Sequence, residues 1–266
     1  MEVNANSFFF KEILENEEVK NILLSNEKLM AEGKNIADEI INNGDETKLP
    51  NDIRALAAFN YLADYTLEKN TKMGIPREIT VASLKDVNPW VENHYKRYGE
   101  YGFSEGFWVI GFYLSGRFRL GRLQFNFAKP LPFMPECDIV LETHIPQGES
   151  LDNEECKKSF EMAREFFPRF FPEKNPRYFM CDSWLLCPDL VNIADENSNI
   201  VKFMKMWTQI PFKSDESWQV MERVFGFGFK REELINAPEK TKLQRKLKEY
   251  LLKGGNINMS AGYIKI

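Results

Sequence analysis

The sequence predicts an α+β protein, with a mainly helical N-terminal region followed by a mixed β-sheet flanked by helices. Three observations carry this. Apolar residues recur at helical spacing over roughly the first hundred residues. After Gly99 the pattern changes to short apolar runs, several with period-two alternation. Within that second part a strand, a helix and a strand follow in order, which implies a parallel pair joined by a right-handed crossover. The 266 residues suffice for one large domain or two modest ones. With 43% apolar and 28% charged residues the chain is too apolar for disorder, and 22 phenylalanines point to an aromatic-rich core or cavity.

The elements follow in order. Residues 7–24 place Phe9, Ile13, Val19 and Leu23 among Glu and Lys, and residues 26–43 place Leu29, Ile36, Ile40 and Ile41 in a similar stripe; both read as helices. Pro50-Asn51-Asp52 is a helix start, after which Ile53, Leu56, Phe59, Leu62 and Tyr65 line one face of a helix reaching about Lys69. Gly74-Ile75-Pro76 is punctuation, and residues 77–98 read as short helices broken at Asn88-Pro89. Residues 107–114 form a dense apolar run that is ambiguous between helix and strand. In residues 117–128, Phe118 and Leu120 share one parity while Leu123, Phe125 and Phe127 share the other; one strand bulged at Gly121 would turn both sets to a single core.

Residues 137–144 read as a strand, with Ile139, Leu141 and Thr143 on one face and Val140, Glu142 and His144 on the other. Ile145-Pro146-Gln147-Gly148 is a turn, and Asp152 with Glu155 fits a capping box. Cys156, Phe160, Ala163 and Phe167 follow helical spacing up to a closing Pro168. Residues 178–186 read as a strand, and Ser198-Asn199 as the cap of a helix over 200–207. Residues 218–229 fit a strand pair or a strand and a short helix. Residues 238–253 fit a helix stopped by Gly254-Gly255, and residues 263–266 a last strand. The division falls after residue 115, giving a helical N-terminal domain over 1–115 and a sheet domain over 116–266.

Charge and composition exclude several classes. The net charge of −5 argues against nucleic acid, because phosphate binding needs a concentrated basic surface. The one basic stretch, Arg117-Phe118-Arg119-Leu120-Gly121-Arg122, is short and interleaved with apolar residues; it reads as an anion contact or as a solvated strand face. Residues 1–11 lack the basic start and apolar run of a secretory signal, and no window holds the ~18 uncharged apolar residues of a membrane span. A cytoplasmic protein is expected. Cys137, Cys156, Cys181 and Cys187 form no C-x-x-C pair and read as reduced thiols. No His-x-x-x-His or cysteine pair supports a metal site, and no Gly-x-Ser-x-Gly elbow supports a serine hydrolase.

From about Gly116 onward the chain resembles the GNAT-like C-terminal domain of predicted bacterial acyltransferases. The resemblance rests on Arg119-Leu120-Gly121-Arg122-Leu123-Gln124-Phe125, His144-Ile145-Pro146, Ser159 with Ala163 and Phe166-Phe167, Ser183-Trp184-Leu185-Leu186, Ser198-Asn199-Ile200 and Thr241-Lys242-Leu243-Gln244-Arg245. The N-terminal helices resemble the companion domain of that family. The resemblance implies a GNAT-like fold and an acyl-CoA-dependent transfer, acetyl-CoA being the simplest donor, to an amine of a small molecule or peptide.

Such a transfer needs a base for the attacking amine, donors for the oxyanion and a holder for the pyrophosphate of CoA. The resemblance places His144 at the end of a strand that splays from its neighbour to admit the thioester. A neutral histidine suits proton abstraction there, and a histidine simply hydrogen-bonded at a strand end is the other reading. Glu142, two residues earlier on the same face, would orient the imidazole or act through water. His94, the only other histidine, sits in a polar helix and reads as structural. Backbone N–H groups near Ile145 would serve the oxyanion. Gln147 and Gly148 stand where the family's pyrophosphate turn lies, but with one glycine only. Glu149, Asp152, Glu154 and Glu155 crowd the following helix start, where they suit the helix dipole and compete with a phosphate; Lys157 and Lys158 offset part of that charge. Asn199 reads as a pantetheine contact or as a helix cap. The helix after it lacks the tyrosine many GNAT enzymes use to protonate the leaving thiolate; Phe203 takes a core position instead, and Ser183 or water are the substitutes. Two functions follow: an acyl-CoA-dependent N-acyltransferase, or a catalytically inactive GNAT-like module that binds a small molecule or a protein partner.

Overall fold

In the computed structural model, which describes residues 5–114, 116–214 and 218–266, the chain divides into two units, Met1–Leu120 and Gly121–Ile266. The first is helical. A π-turn at Phe9–Ile13 is followed by a break at Leu14 and then α1 (Glu17–Leu24), so the helix expected over 7–24 is split. The break arises because Asn16 caps α1 by accepting from the Val19 N–H. Asn26 likewise caps α2 (Glu27–Asn43) and Asp52 caps α3 (Ile53–Lys72). Gly33 lets α2 lie directly on α3, since a Cβ there would fall 2.5 Å from Ala57.

Next come α4 (Arg77–Leu84) and α5 (Val87–Tyr98), which are broken at Lys85-Asp86 and not at Asn88-Pro89. Pro89 falls in the first turn of α5, where a missing N–H costs no hydrogen bond. Asp86 fixes the break by accepting from the indoles of Trp90 (3.1 Å) and Trp108 (2.9 Å). The ambiguous apolar run is α6 (Gly106–Tyr113), a helix with buried residues around most of its surface. Phe59 stacks on its Tyr113 at 4.5 Å. The short strand β1 (Phe118–Leu120) closes the unit, its Arg119 N–H donating to Ser83 Oγ.

The second unit is a mixed sheet with helices. Gly121, at φ +67°, and Arg122 form a turn that separates β1 from β2 (Leu123–Ala128). A turn therefore replaces the expected bulge, and Phe118, Leu120, Leu123 and Phe125 are each buried. Then follow β3 (Val140–His144), α7 (Asn153–Phe170), β4 (Tyr178–Ser183), α8 (Asn199–Lys205), β5 (Thr208–Ser214), α9 (Trp218–Phe225), α10 (Lys242–Leu252) and β6 (Met259–Lys265). Their strands lie in the order β2-β3-β4-β6-β5. Among the described residues β3 and β4 make the one parallel pair of these strands, and α7 is the crossover such a pair needs.

Several boundaries differ from expectation. Pro168 lies inside the last turn of α7, β4 ends at Ser183 in a 3-10 turn over Trp184–Leu186, and residues 218–225 are helical. Strand β5 carries no alternation strong enough to be seen in the sequence; it is mostly exposed and bulged between Ile210 and Lys213.

Two apolar layers position the sheet. Phe125 and Phe179 face α7, where Phe160 lies 5.9 and 4.8 Å from them and Phe167 lies 6.4 Å from Phe125. A second cluster joins α9 and α10, through Val220, Met221, Leu247 and Leu251, to Trp184 and Leu190 after β4 and to Met259 of β6. The register then puts Gln124, Asn126, Glu142, His144, Met180 and Asp182 together on the sheet face opposite α7.

Candidate active site

The strand β3 has two different neighbours. It pairs with β2 up to Gln124↔His144, but with β4 only at Leu141↔Phe179 and Glu142↔Met180. Strand β4 runs on, paired with β6, as far as Ser183↔Ser260. The two parallel strands therefore part beyond Glu142 and Met180, and His144 stands at the parted end. Thr143, beside it, buries its Oγ1 with no hydrogen-bond partner among the described residues.

The polar groups on the sheet face form a connected set. Asn126 lies directly across from Glu142. Its side-chain amide donates to Glu142 Oε2 (3.1 Å) and to the Phe127 carbonyl (3.1 Å). Its Oδ1 lies 2.6 Å from His144 Nε2. Glu142 Oε2 is 3.6 Å from the same nitrogen, beyond hydrogen-bond length, so its link to the ring runs through Asn126. His144 and Glu142 are both partly shielded, with side-chain exposures of 16% and 29%. The Cys181 thiol is pushed well up, chiefly by burial and then by Asp182 and Glu142.

The turn after β3 is held at both ends and from below. Ile145 and Leu151 pack on the α9–α10 cluster. Between them Gln147 and Gly148 are exposed, with Gly148 at φ +93°. Arg122, only 6% exposed, donates through Nε to the Ser150 carbonyl (2.8 Å) and through a terminal nitrogen to the Glu149 carbonyl (2.9 Å). A trans peptide sets its N–H opposite its carbonyl, so the Ser150 and Leu151 N–H groups point away from Arg122, to the outer side of the turn. Arg122 is thus neither a solvated residue nor an exposed anion contact. It is a buried support. Its own N–H and that of Leu123 donate to Ser159 Oγ (2.8 and 3.3 Å), and Ser159 donates to the Glu155 carbonyl (2.9 Å). Arg117 is likewise engaged, its guanidinium 3.9 Å over the Trp108 ring and donating to the Trp108 carbonyl.

At the start of α7, Asp152 Oδ1 accepts from the Glu154 N–H (2.9 Å) and the Glu155 N–H (3.1 Å). The expected capping box is half formed, because Glu155 turns to Lys158 and Glu154 to Lys157, each pair at 2.7 Å. Ser198 alone caps α8. Asn199 instead donates to Ser150 Oγ (3.3 Å) and accepts from Asn153 (3.3 Å), tying the turn to the starts of both helices. Ser183 accepts from the Leu185 N–H, and Phe203 is fully buried. His94 belongs to α5, its ring tilted against that of Tyr98 and packed on Gly102, with its imidazole held below the usual histidine range by burial. All four cysteines are unpaired, and no cluster of three His, Cys, Asp or Glu side chains is found among the described residues. Nor is any helix among them long and apolar enough to cross a membrane.

The residues sequence reasoning missed are Asn126 and the support role of Arg122. Asn126 carried a weak signal: it is the polar member between Phe125 and Phe127 in an alternating run. Its partner across the sheet depends on register, which that alternation leaves open.

Two family models cover almost the whole chain. The N-acyltransferase N-terminal domain matches residues 4–114, and the GNAT-like C-terminal domain matches residues 117–264. No curated protein matches the sequence significantly. Among solved structures, an acyltransferase in complex with decanoyl-CoA is similar at a TM-score of 0.81 and 23% identity, over 96% of this chain and 85% of the other. An acyltransferase in complex with decanoyl-CoA and teicoplanin is similar at 0.79 and 22%, over 96% and 84%. At that identity the likeness establishes the fold, a GNAT-like mixed sheet flanked by helices and preceded by a helical region. By its two domain models, the chain belongs to the acyltransferase family built from an N-acyltransferase N-terminal domain and a GNAT-like C-terminal domain.

Proposed function

We propose that the chain transfers an acyl group from an acyl-CoA to an amine of a small molecule or peptide, at the parted ends of β3 and β4. The observation that carries this is the end of β3–β4 pairing at Glu142↔Met180, with His144 standing at the opening. Bound there, the thioester supplies an activated acyl group and a thiolate leaving group. His144 takes the proton that the amine loses as it bonds to the acyl carbon. Once protonated, the ring is paired with Glu142 at 3.6 Å. Backbone groups of β3 near Ile145, beyond the last pair with β4, are the donors for the acyl oxygen.

The turn fits a diphosphate, though in a shifted position. The first-turn N–H groups of α7 at Glu154 and Glu155 are taken by Asp152, which leaves the Ser150 and Leu151 N–H groups, turned away from Arg122, as the donors assigned to a diphosphate. Gln147 and Gly148 border them, and Asn199 holds Ser150 in place. That a similar fold holds decanoyl-CoA and teicoplanin supports testing long-chain esters beside acetyl-CoA, and peptide acceptors beside small amines. We further assign residues 1–115 and 116–266 as the two domains, and place the protein in the cytoplasm, where four unpaired thiols stay reduced.

One observation favours a second reading, in which the module binds a ligand without catalysis: a carboxylate occupies the helix start where an anion would otherwise sit. Thermal shift separates the two. An acyl-CoA at about a hundred times its dissociation constant should stabilise the protein by roughly 2.7 kcal/mol. His144→Ala should keep that shift and lose acyl transfer. No shift with acetyl-, octanoyl- or decanoyl-CoA would refute the acyl-CoA reading; unchanged transfer in His144→Ala would refute the base.

A further inference from the structure

We propose that Asn126 is a positioning residue that fixes His144 as the Nε2–H tautomer, which makes Nδ1 the proton-accepting nitrogen. This deepens the reading of His144 as the base and rests on it for its catalytic meaning, but the tautomer itself can be tested without any acyl-CoA.

The argument starts with the amide of Asn126. Its nitrogen lies 3.1 Å from two acceptors, Glu142 Oε2 and the Phe127 carbonyl. Turning the amide over would set an oxygen against both. The orientation is therefore fixed, and Oδ1 is the atom left for the ring, 2.6 Å from His144 Nε2. A second acceptor, Glu142 Oε2, stands 3.6 Å from the same nitrogen. A lone pair on Nε2 would face two oxygens; an N–H there makes a short hydrogen bond to one and is attracted by the other. The neutral ring carries one proton, so the lone pair resides on Nδ1. Register holds the set together: Asn126 is directly across from Glu142, and His144 follows two residues later on the same face. A base oriented by a third group is a general requirement of such sites, and here that group is an amide backed by a carboxylate.

The chain has only two histidines, which makes the test direct. Protein labelled with nitrogen-15 in histidine is recorded at about pH 8.5, where an ordinary imidazole is neutral. His94→Gln assigns the two rings in long-range proton–nitrogen spectra. His144 is expected to show a protonated Nε2 and an unprotonated Nδ1. A wild-type ring with the proton on Nδ1 overturns the proposal, whatever any variant does. In Asn126→Leu the Nε2 signal should move toward the unprotonated range. An unchanged tautomer in Asn126→Leu overturns the assignment to Asn126. With an acceptor amine in hand, Asn126→Leu should lower kcat roughly tenfold or more with KM for acyl-CoA unchanged. If no acyl-CoA binds, the acyl-transfer reading fails while the tautomer result stands on its own.

Discussion

Ser159 offers the most direct test of how the turn at Gly121 is tied to α7. Its side chain is fully buried and accepts from two backbone N–H groups, Arg122 at 2.8 Å and Leu123 at 3.3 Å. Ser159→Ala removes that acceptor and leaves the Arg122 N–H buried. A buried donor without its partner costs about 1–3 kcal/mol. Against this, alanine is the better helix former by about half a kcal/mol, and the Glu155 carbonyl loses only a second bond. The net expectation is about 1.5 kcal/mol of destabilisation, or roughly 3–6 °C in the unfolding midpoint of a unit this size. Differential scanning calorimetry is the assay, with the transitions of the two units fitted separately. A midpoint within a degree of wild type would refute the reasoning. Gly121→Ala extends the test. An alanine there meets Ser159 Oγ at 2.9 Å and must also hold φ +67°. In the double variant the steric part disappears with the hydroxyl. The two effects should therefore sum to less than their separate costs, and strict additivity would show that the contact is relaxed by other means.

Three further outcomes are expected. Asp152→Asn keeps an acceptor at the α7 cap but removes a charge from the phosphate side; acyl-CoA should bind about two- to fivefold more tightly by calorimetric titration, and weaker binding would refute the competition argued for that carboxylate. In native protein a thiol reagent at pH 7.5 should modify Cys137 first, because Cys156, with its thiol pushed to about 11 by burial, Cys181 and Cys187 are all buried; four equally fast thiols would contradict the packing. Burial depresses the His94 imidazole, so folding favours its neutral form; that contribution is complete above the ordinary histidine range and is lost as pH falls through the lowered value. The loss of stability between pH 7 and 5 should therefore be smaller in His94→Gln, and equal slopes would refute it.

The sequence by itself determined the elements whose signal is local. Asp52 and Ser198 each precede a helix that they cap in the structure, and Phe160, Ala163 and Phe167 line the face of α7 that covers the sheet; the helix expected over 238–253 begins later, at Lys242, where Thr241 caps it. It also placed His144 at the end of a strand that leads into a turn and a helix. Local pattern failed where a long-range contact decided the outcome. The break at Lys85-Asp86 is set by two indoles, one of them 22 residues away, and β5 exists because β6 pairs with it. The site divides in the same way. Residue type and position singled out His144 and Glu142, but their relation required the strand register that brings Asn126 across from Glu142 and stops the β3–β4 ladder short of His144. Arg122 looked like one charge among three on a strand. Only packing showed it buried beneath the turn, because a side chain's burial is decided by what the rest of the chain brings over it.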